Sequence, residues 1–386
     1  MNHLTENVNI FIAVMVVCGG GSHMREKIQN LAKMYSPDIH IGVLGSHSAL
    51  EVGYGAREEG FKTVVVCQKG REKTYTNRFR NLFDEVIVLE KFAHISESVT
   101  VKKLQDLNTI FVPNRSFSVY CGYDNIETKF EVPLFGARMM LRAEERDVPK
   151  NQYYLMEKAG VPYPKLIENP EDIDGLVMVK LSQAVKKVER GFFTCASFKE
   201  YKEKSQKLIK RGLILKEDLK NAVIEEFVFG ALFNLDYFYS PLHDEVEFMG
   251  ADQRIETDIE GILHMTAREQ QAFEQTPTVI PIGHRGLTVR ESQLDTVFTL
   301  GEKFAEVSKK EYPPGIFGCF ALQGVFDRNL KFYTFDVSLR VPGAPILLTT
   351  SPYTLYKYGM QMSVGRRIAM EVREAVDTDR LKDVVT

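Results

Sequence analysis

From Asp38 to Glu90 the chain switches repeatedly between two hydrophobic periods. IHIGVLG reads as a strand, SALEVGYGAREEGF as a helix, KTVVVCQ as a strand and, after a polar stretch, EVIVLE as another. A further helical stretch, VKKLQDL, leads into TIFVPN. Strands alternating with helices predict a parallel, doubly wound sheet, with ligands at the carboxyl ends of its strands. Two polar strand exits mark that edge, Gly45-Ser46-His47-Ser48 and Pro113-Asn114-Arg115-Ser116.

The pattern then changes. A helix, NQYYLMEKAG, is closed by Gly160 and by a VPYP run that cannot continue it. Next come the strand GLVMVKL, a polar loop to Gly191, FFTCAS and a lysine-rich helix from Phe198 to Arg211, which together predict a small α+β unit. From about Asn221, AVIEEFVFG and LFNLDYFYS open a third region of antiparallel strands. Its helix SQLDTVFTLGEKFAEV carries Leu294, Val297, Phe298, Phe304 and Val307 near helical spacing and stops at Pro313-Pro314-Gly315. The expected division is therefore 25–146, 147–220 and 221–386.

Composition narrows the function. The formal net charge of −3 argues against an extended grip on nucleic acid, and the 44% hydrophobic, 26% charged make-up is that of a folded globular protein. The apolar stretch Val8 to Cys18 is too short for a membrane helix. Five cysteines without a CxxC pair indicate neither a disulfide framework nor a zinc knuckle, so a reducing cytoplasm is expected. Residues 1–24 read as a leader, a tag remnant or an over-read start, and are set aside.

Common catalytic motifs are absent from the sequence: there is no GxxxxGK[ST], no HExxH and no GxSxG, and Glu58 stands where a third glycine would complete a dinucleotide fingerprint. What remains is a constellation. Lys180 closes a strand, Glu225-Glu226-Phe227-Val228 form an acidic-apolar hinge, and two strands, CFALQGVFD and LKFYTFDVSLR, carry Gln323 and Asp336. A strand-end lysine can meet a phosphate, a hinge backbone can pair with adenine, and oxygen ligands on neighbouring strands suit magnesium. Taken one at a time, each residue favours the reading of a decorated or solvated strand end. Their order together suggests an ATP site.

The arrangement AGVPYP, IDGLVMVK, VIEEFVFG and the paired strands ending at Arg340 resembles the ATP-grasp superfamily, whose two domains close on ATP. LGSHSALEVGYGAREEGF, FVPNRSFSVYCG, VPLFG, YFYSPLHDEVEFMGADQR, LTVRES and GRRIAMEVREAV extend the resemblance to one family, the 5-formaminoimidazole-4-carboxamide ribonucleotide synthetases. It implies an α/β and α+β chain, an ATP-grasp fold preceded by a doubly wound parallel-sheet N-terminal domain. It also implies a cytoplasmic ligase and homo-oligomer that uses ATP, Mg2+ or Mn2+, formate and aminoimidazole carboxamide ribonucleotide, with no nucleic-acid or membrane partner. By the same resemblance His47, Ser116 and Asp258 are substrate contacts, and His47 and Arg340 are the catalytic candidates. Lys180, Lys187 and the hinge 225–228 belong to ATP, and Gln323 and Asp336 to the metal.

Four departures sit in that site. The lid after Lys180 reads SQAVKKVERG, with one glycine where the family has several; Lys186, Lys187 and Arg190 offer charge in place of backbone amides. Asp258 replaces an asparagine, Asp336 replaces a glutamate, and the run after Arg340 is apolar where polar contacts are expected. A diverged ligase for another small acid, or a nucleotide-binding protein without turnover, remains the alternative.

Overall fold

The computed structural model describes residues 23–181, 192–272 and 280–386. A helix over residues 23–33 (α1) precedes β1 (His40–Leu44), α2 (Ala49–Glu58), β2 (Lys62–Gln68), β3 (Glu85–Leu89), α3 (Ser98–Asp106), β4 (Thr109–Val112), α4 (Arg115–Cys121) and α5 (Tyr123–Thr128). The four strands form one parallel sheet in the order β3-β2-β1-β4. Thr63–Cys67 are buried without interruption because helices cover both faces, the reason a parallel strand reads as a continuous apolar run. Met24, set aside with the leader, is buried in this core beside Ile28.

The small unit contains α6 (Gln152–Ala159), β5 (Leu166–Ile167), β6 (Val177–Lys180), β7 (Phe192–Cys195), α7 (Phe198–Lys210) and β8 (Val223–Glu226). Its sheet runs β5-β8-β6-β7, so the VIEE strand expected to open the third region completes the second instead. Val177, Val179, Phe193, Cys195 and Ile224 pack under Tyr201 and Leu208 of α7.

The third unit is a five-stranded antiparallel sheet, β11-β10-β9-β12-β13, built from β9 (Ala231–Ser240), β10 (Glu245–Glu256), β11 (Pro281–Leu287), β12 (Gly318–Phe326) and β13 (Phe332–Ser338). Short helices α8 (Ile259–Leu263) and α9 (Ala267–Ala272) follow β10, and α10 (Leu294–Glu311) follows β11. Leu235, Tyr237 and Tyr239 face the α10 side, where Val297, Leu300 and Phe304 complete a core. Strand alternation then sends Asn234, Asp236 and Phe238 to the opposite face, where Phe238 joins the core of the first unit.

The chain returns to its start. After α11 (Leu347–Thr350) and α12 (Pro352–Tyr358), helix α13 (Val364–Asp377) packs on α2, and Arg366 pairs with Glu58 at 3.0 Å and Glu59 at 2.7 Å. The carbonyl of Thr386 accepts from Arg138 at 2.7 Å, and its amide donates to Leu134 at 3.0 Å. First and third units thus share a core, which holds the edge of the parallel sheet against the polar end of the large one. Among the described residues, no helix is long and apolar enough to cross a membrane.

Candidate active site

Asn114 ties the two strand exits together. Its amide donates to the carbonyls of Leu44 at 2.9 Å and His47 at 2.8 Å, while its side-chain oxygen caps α4 by accepting from Phe117 N at 2.9 Å. Ser116 is brought alongside, donating to Ser46 Oγ at 2.8 Å. The segment after β13 then seats on both exits: Val341 N donates to Pro113 O at 3.3 Å and Ser48 Oγ to Pro342 O at 2.7 Å. Val341, Pro342, Gly343 and Ala344 are buried, so the apolar run after Arg340 joins the two units. Gly343 leaves room for the His47 ring, since a Cβ there would stand 1.9 Å from both Cε1 and Nε2 of His47.

Arg340 is buried at this junction, with Nε 3.3 Å from Glu144 Oε1. Glu144 Oε1 also accepts from Leu339 N at 2.7 Å, and Oε2 pairs with Arg115 at 3.1 Å, so one carboxylate positions both arginines. His47 is solvent-accessible, yet the residues packed around it partly desolvate the ring. That desolvation, reinforced by the charges of Arg340, His284 and Arg254, lowers its pKa to about 4. The imidazole is therefore neutral near pH 7.

Facing these groups, the large sheet presents a polar row. Asp336 lies opposite Gln323, Gln323 opposite Asn234, Asn234 opposite Asp252, and Asp252 opposite Gly286. Directly opposed residues share a face with Cβ atoms about 5 Å apart. Gln323 Nε2 donates to Ser338 Oγ at 2.9 Å, and Asn234 Nδ2 donates to Asp252 Oδ1 at 2.6 Å. Asp252 Oδ2 holds His284 Nδ1. Beyond the row, Asp236 is fully enclosed with neither oxygen hydrogen-bonded among the described residues, and burial with the neighbouring Asp252 and Glu51 raises its pKa well above the usual carboxylate range.

The small sheet supplies the remaining wall. Lys180 Nζ lies 2.5 Å from Glu225 Oε1 and donates to Phe335 O at 2.9 Å, so this lysine is paired and buried rather than solvated. Glu225 also accepts from Tyr153 Oη at 3.0 Å. Glu226 is exposed, and Phe227 and Val228 are half-buried. Two hinge amides are already used by the sheet: Glu226 N donates to Lys165 O at 2.8 Å and Phe227 N to Leu176 O at 3.0 Å. Arg146 reaches Asp336 at 3.1 Å and links the two walls. Lys187 lies outside the described residues.

Family models of two domains of unknown function match this chain, one (DUF1246) over residues 41–167 and the other (DUF1297) over 200–386. The chain is 41% identical to the 5-formaminoimidazole-4-carboxamide-1-(beta)-D-ribofuranosyl 5'-monophosphate synthetase of Methanothermobacter thermautotrophicus, covering 94% of this chain and 99% of that one. It is 39% identical to the synthetase of the same name from Methanocaldococcus jannaschii, with the same shares covered. The chain belongs to this synthetase family. Among solved structures, the IMP biosynthesis protein PurP from Thermococcus kodakaraensis aligns with a TM-score of 0.65 at 27% identity, covering 90% of this chain and all of that one. The phosphoribosylglycinamide synthetase of Anaerococcus prevotii, 18% identical with 88% and 76% covered, shares the fold at a TM-score of 0.53. The fold is ATP-grasp, and the family is one of ligases that work with ATP and a divalent cation.

As a synthetase of this family, the chain must offer such a cation oxygen ligands. Gln323 and Asp336 fit: an amide oxygen and a carboxylate, opposed on adjacent strands, are hard donors of the kind that share a magnesium shell with phosphate and water. No group of three or more His, Cys, Asp or Glu side chains able to hold a metal occurs among the described residues, so phosphate and water oxygens would complete the shell.

Asp258 stands apart from the row. It is exposed at φ 58°, beyond the end of β10 in the turn where α8 begins. The groups of β10 and β11 that act electrostatically on His47 are Arg254 and His284, which oppose each other in register. Sequence reasoning missed both. Arg254 was accessible to it, because it lies two residues from Asp252 and so shares its face. His284 carried no motif, and Arg146 sits in a polar connection whose partner, Asp336, is 190 residues away.

Proposed function

We propose that this protein is the ATP- and formate-dependent ligase that formylates 5-aminoimidazole-4-carboxamide ribonucleotide in the biosynthesis of IMP. The observation that carries this reading is family membership across nearly the whole chain, and it is supported by the buried Lys180–Glu225 pair and by the opposition of Gln323 and Asp336 on adjacent strands. In this reaction formate takes the γ-phosphoryl group of ATP, and the amine of the ribonucleotide attacks the formyl carbon of the resulting acyl phosphate.

The residues divide that work. Lys180, with Glu225 fixing its ammonium, offers a point charge to the nucleotide phosphates, while the hinge 225–228 borders the adenine side. Gln323 and Asp336 would hold Mg2+ or Mn2+, which neutralises charge on the transferring phosphoryl group. Arg340, near enough to His47 to act on it electrostatically and oriented by Glu144, would hold the acyl phosphate. Neutral His47 and Ser116 offer hydrogen bonds to the ribonucleotide at the strand exits, and a bound phosphate dianion would draw a proton back onto the imidazole. We further expect the protein to act in the cytoplasm as a homo-oligomer.

The test is phosphate release from magnesium-ATP by the purified protein, with and without formate, crossed with and without the ribonucleotide. Release that requires both is the expected result. Release with a different acid would assign another ligation to the same machinery, and ATP binding without release under any combination would remove the ligase reading.

A further inference from the structure

Asp252 is fully enclosed, its Oδ1 fixed by Asn234 and its Oδ2 set against His284 Nδ1. A carboxylate against Nδ1 assigns the neutral ring's proton to that nitrogen and leaves the lone pair on Nε2, at the far side of the ring. His284 sits on the edge strand β11 opposite Arg254 and is half-buried, so the side chain is neither sealed in a core nor loose in solvent. Its position is also fixed from behind. At Gly286, directly across from Asp252, a Cβ would meet Thr350 Oγ1 at 2.1 Å, so α11 presses on β11 at this point. His284 and His47 are near enough to interact electrostatically. A half-buried imidazole whose tautomer is set by a buried carboxylate, near the proposed substrate contact His47, is the arrangement of a general base.

We propose that His284, held by Asp252, is the general base of the amine-transfer step. The proposal rests on the reading that the acceptor is an amine and the donor an acyl phosphate. In that step the amine nitrogen bonds to the formyl carbon, and the bond from that carbon to the phosphate oxygen breaks, the phosphate leaving with the electron pair. The proton lost by the nitrogen goes to His284 Nε2. The imidazolium so formed is stabilised by Asp252 and returns its proton to the departing phosphate. His47 is not the base in this scheme, because desolvation and the neighbouring Arg340 and Arg254 hold its proton affinity down. His284 differs from it in one respect that geometry supplies, a carboxylate partner.

Two assays divide the reaction. Formyl hydroxamate made from ATP, formate and hydroxylamine reports the first half without the ribonucleotide, and formation of the formamido ribonucleotide reports the whole. In His284→Gln, the full reaction is expected to fall about 100-fold in kcat, with KM for the ribonucleotide and hydroxamate production both close to wild type. Asp252→Asn, which keeps the side-chain size while removing the carboxylate, is expected to show the same split. A His284→Gln enzyme that loses both activities together, keeps both, or loses only affinity for the ribonucleotide would overturn the proposal. If His284→Gln does not fold, Asp252→Asn decides it by the same criteria. A wild type that makes neither hydroxamate nor formamide would instead overturn the ligase reading on which the proposal stands.

Discussion

Lys180 and Glu225 form an ion pair of 2.5 Å in which each side chain is only 5% exposed. Burial lowers the pKa of the lysine and the carboxylate opposes that shift, so the charged state depends on the partner. Removing one member of such a pair strands the other charge at a cost of about 3–5 kcal/mol, whereas replacing both with apolar groups is often neutral. Glu225→Gln is therefore expected to destabilise the small sheet by that amount and to weaken ATP binding. Lys180→Met with Glu225→Leu should recover most of the stability without recovering ATP binding. Denaturant unfolding and nucleotide titration of the three proteins check this.

A second expectation concerns pH. Glu51 is buried at the start of α13, where Oε1 accepts from Val364 N at 3.0 Å, and desolvation raises its pKa to about 7. A carboxyl whose folded pKa lies above its unfolded one supports the fold at low pH. That support is lost as pH rises from about 4.5 through about 7, because the unfolded chain ionises first. Glu51→Gln, which retains an acceptor for Val364 but cannot ionise, should match wild type near pH 4. It should be more stable by on the order of 2–3 kcal/mol at pH 8. Thermal midpoints across that range measure the difference; a constant offset would mean that Glu51 does not titrate in this window.

Much of the scaffold could be read from the chain because it is local. KTVVVCQ spans Lys62–Gln68 as a strand, and the helix expected from Phe198 ends at Lys210. What failed was long-range pairing. The VIEE strand belongs to the small sheet because its partners, Leu166–Ile167 and Val177–Lys180, lie well upstream, and no periodicity within the segment records that. The site divides in the same way. Gln323 and Asp336 lie on strongly apolar strands, and their opposition follows from a short antiparallel connection. Asp258 was placed by motif alone, and it lies beyond the end of β10, at the start of α8. His284 occupies PIGHRGL, an edge strand with two glycines and no apolar alternation, where only the fold shows what stands opposite.

Gly343 gives a third test. The backbone there needs no positive φ, so alanine is locally acceptable, but its Cβ would overlap the His47 ring at 1.9 Å. His47 faces the cleft and can swing outward, so Gly343→Ala should leave the thermal midpoint nearly unchanged. Displacing a substrate contact by about an ångström should lower kcat/KM for the ribonucleotide by up to about 100-fold, with ATP affinity retained. Steady-state kinetics with each substrate varied in turn would show the split. An unchanged ribonucleotide dependence would take His47 out of the site.

The fourth prediction concerns Asp336, which sits opposite Gln323 and is held by Arg146 at 3.1 Å. An arginine on a metal-ligating carboxylate competes with the cation when no nucleotide is bound, and phosphate oxygens arriving with the cation would tip the balance toward the metal. Asp336→Ala removes a hard anionic ligand and leaves Arg146 without this partner, so metal-dependent phosphate release should fall by several kcal/mol of barrier, about 1,000-fold or more. Asp336→Glu preserves the carboxylate on a longer stem and should keep most of the activity with a shifted magnesium requirement. Arg146→Met should lower the magnesium concentration needed for half-maximal turnover, because the competing cation is gone. Phosphate release measured against magnesium and manganese concentration distinguishes these outcomes, and full activity in Asp336→Ala would move the metal to other ligands.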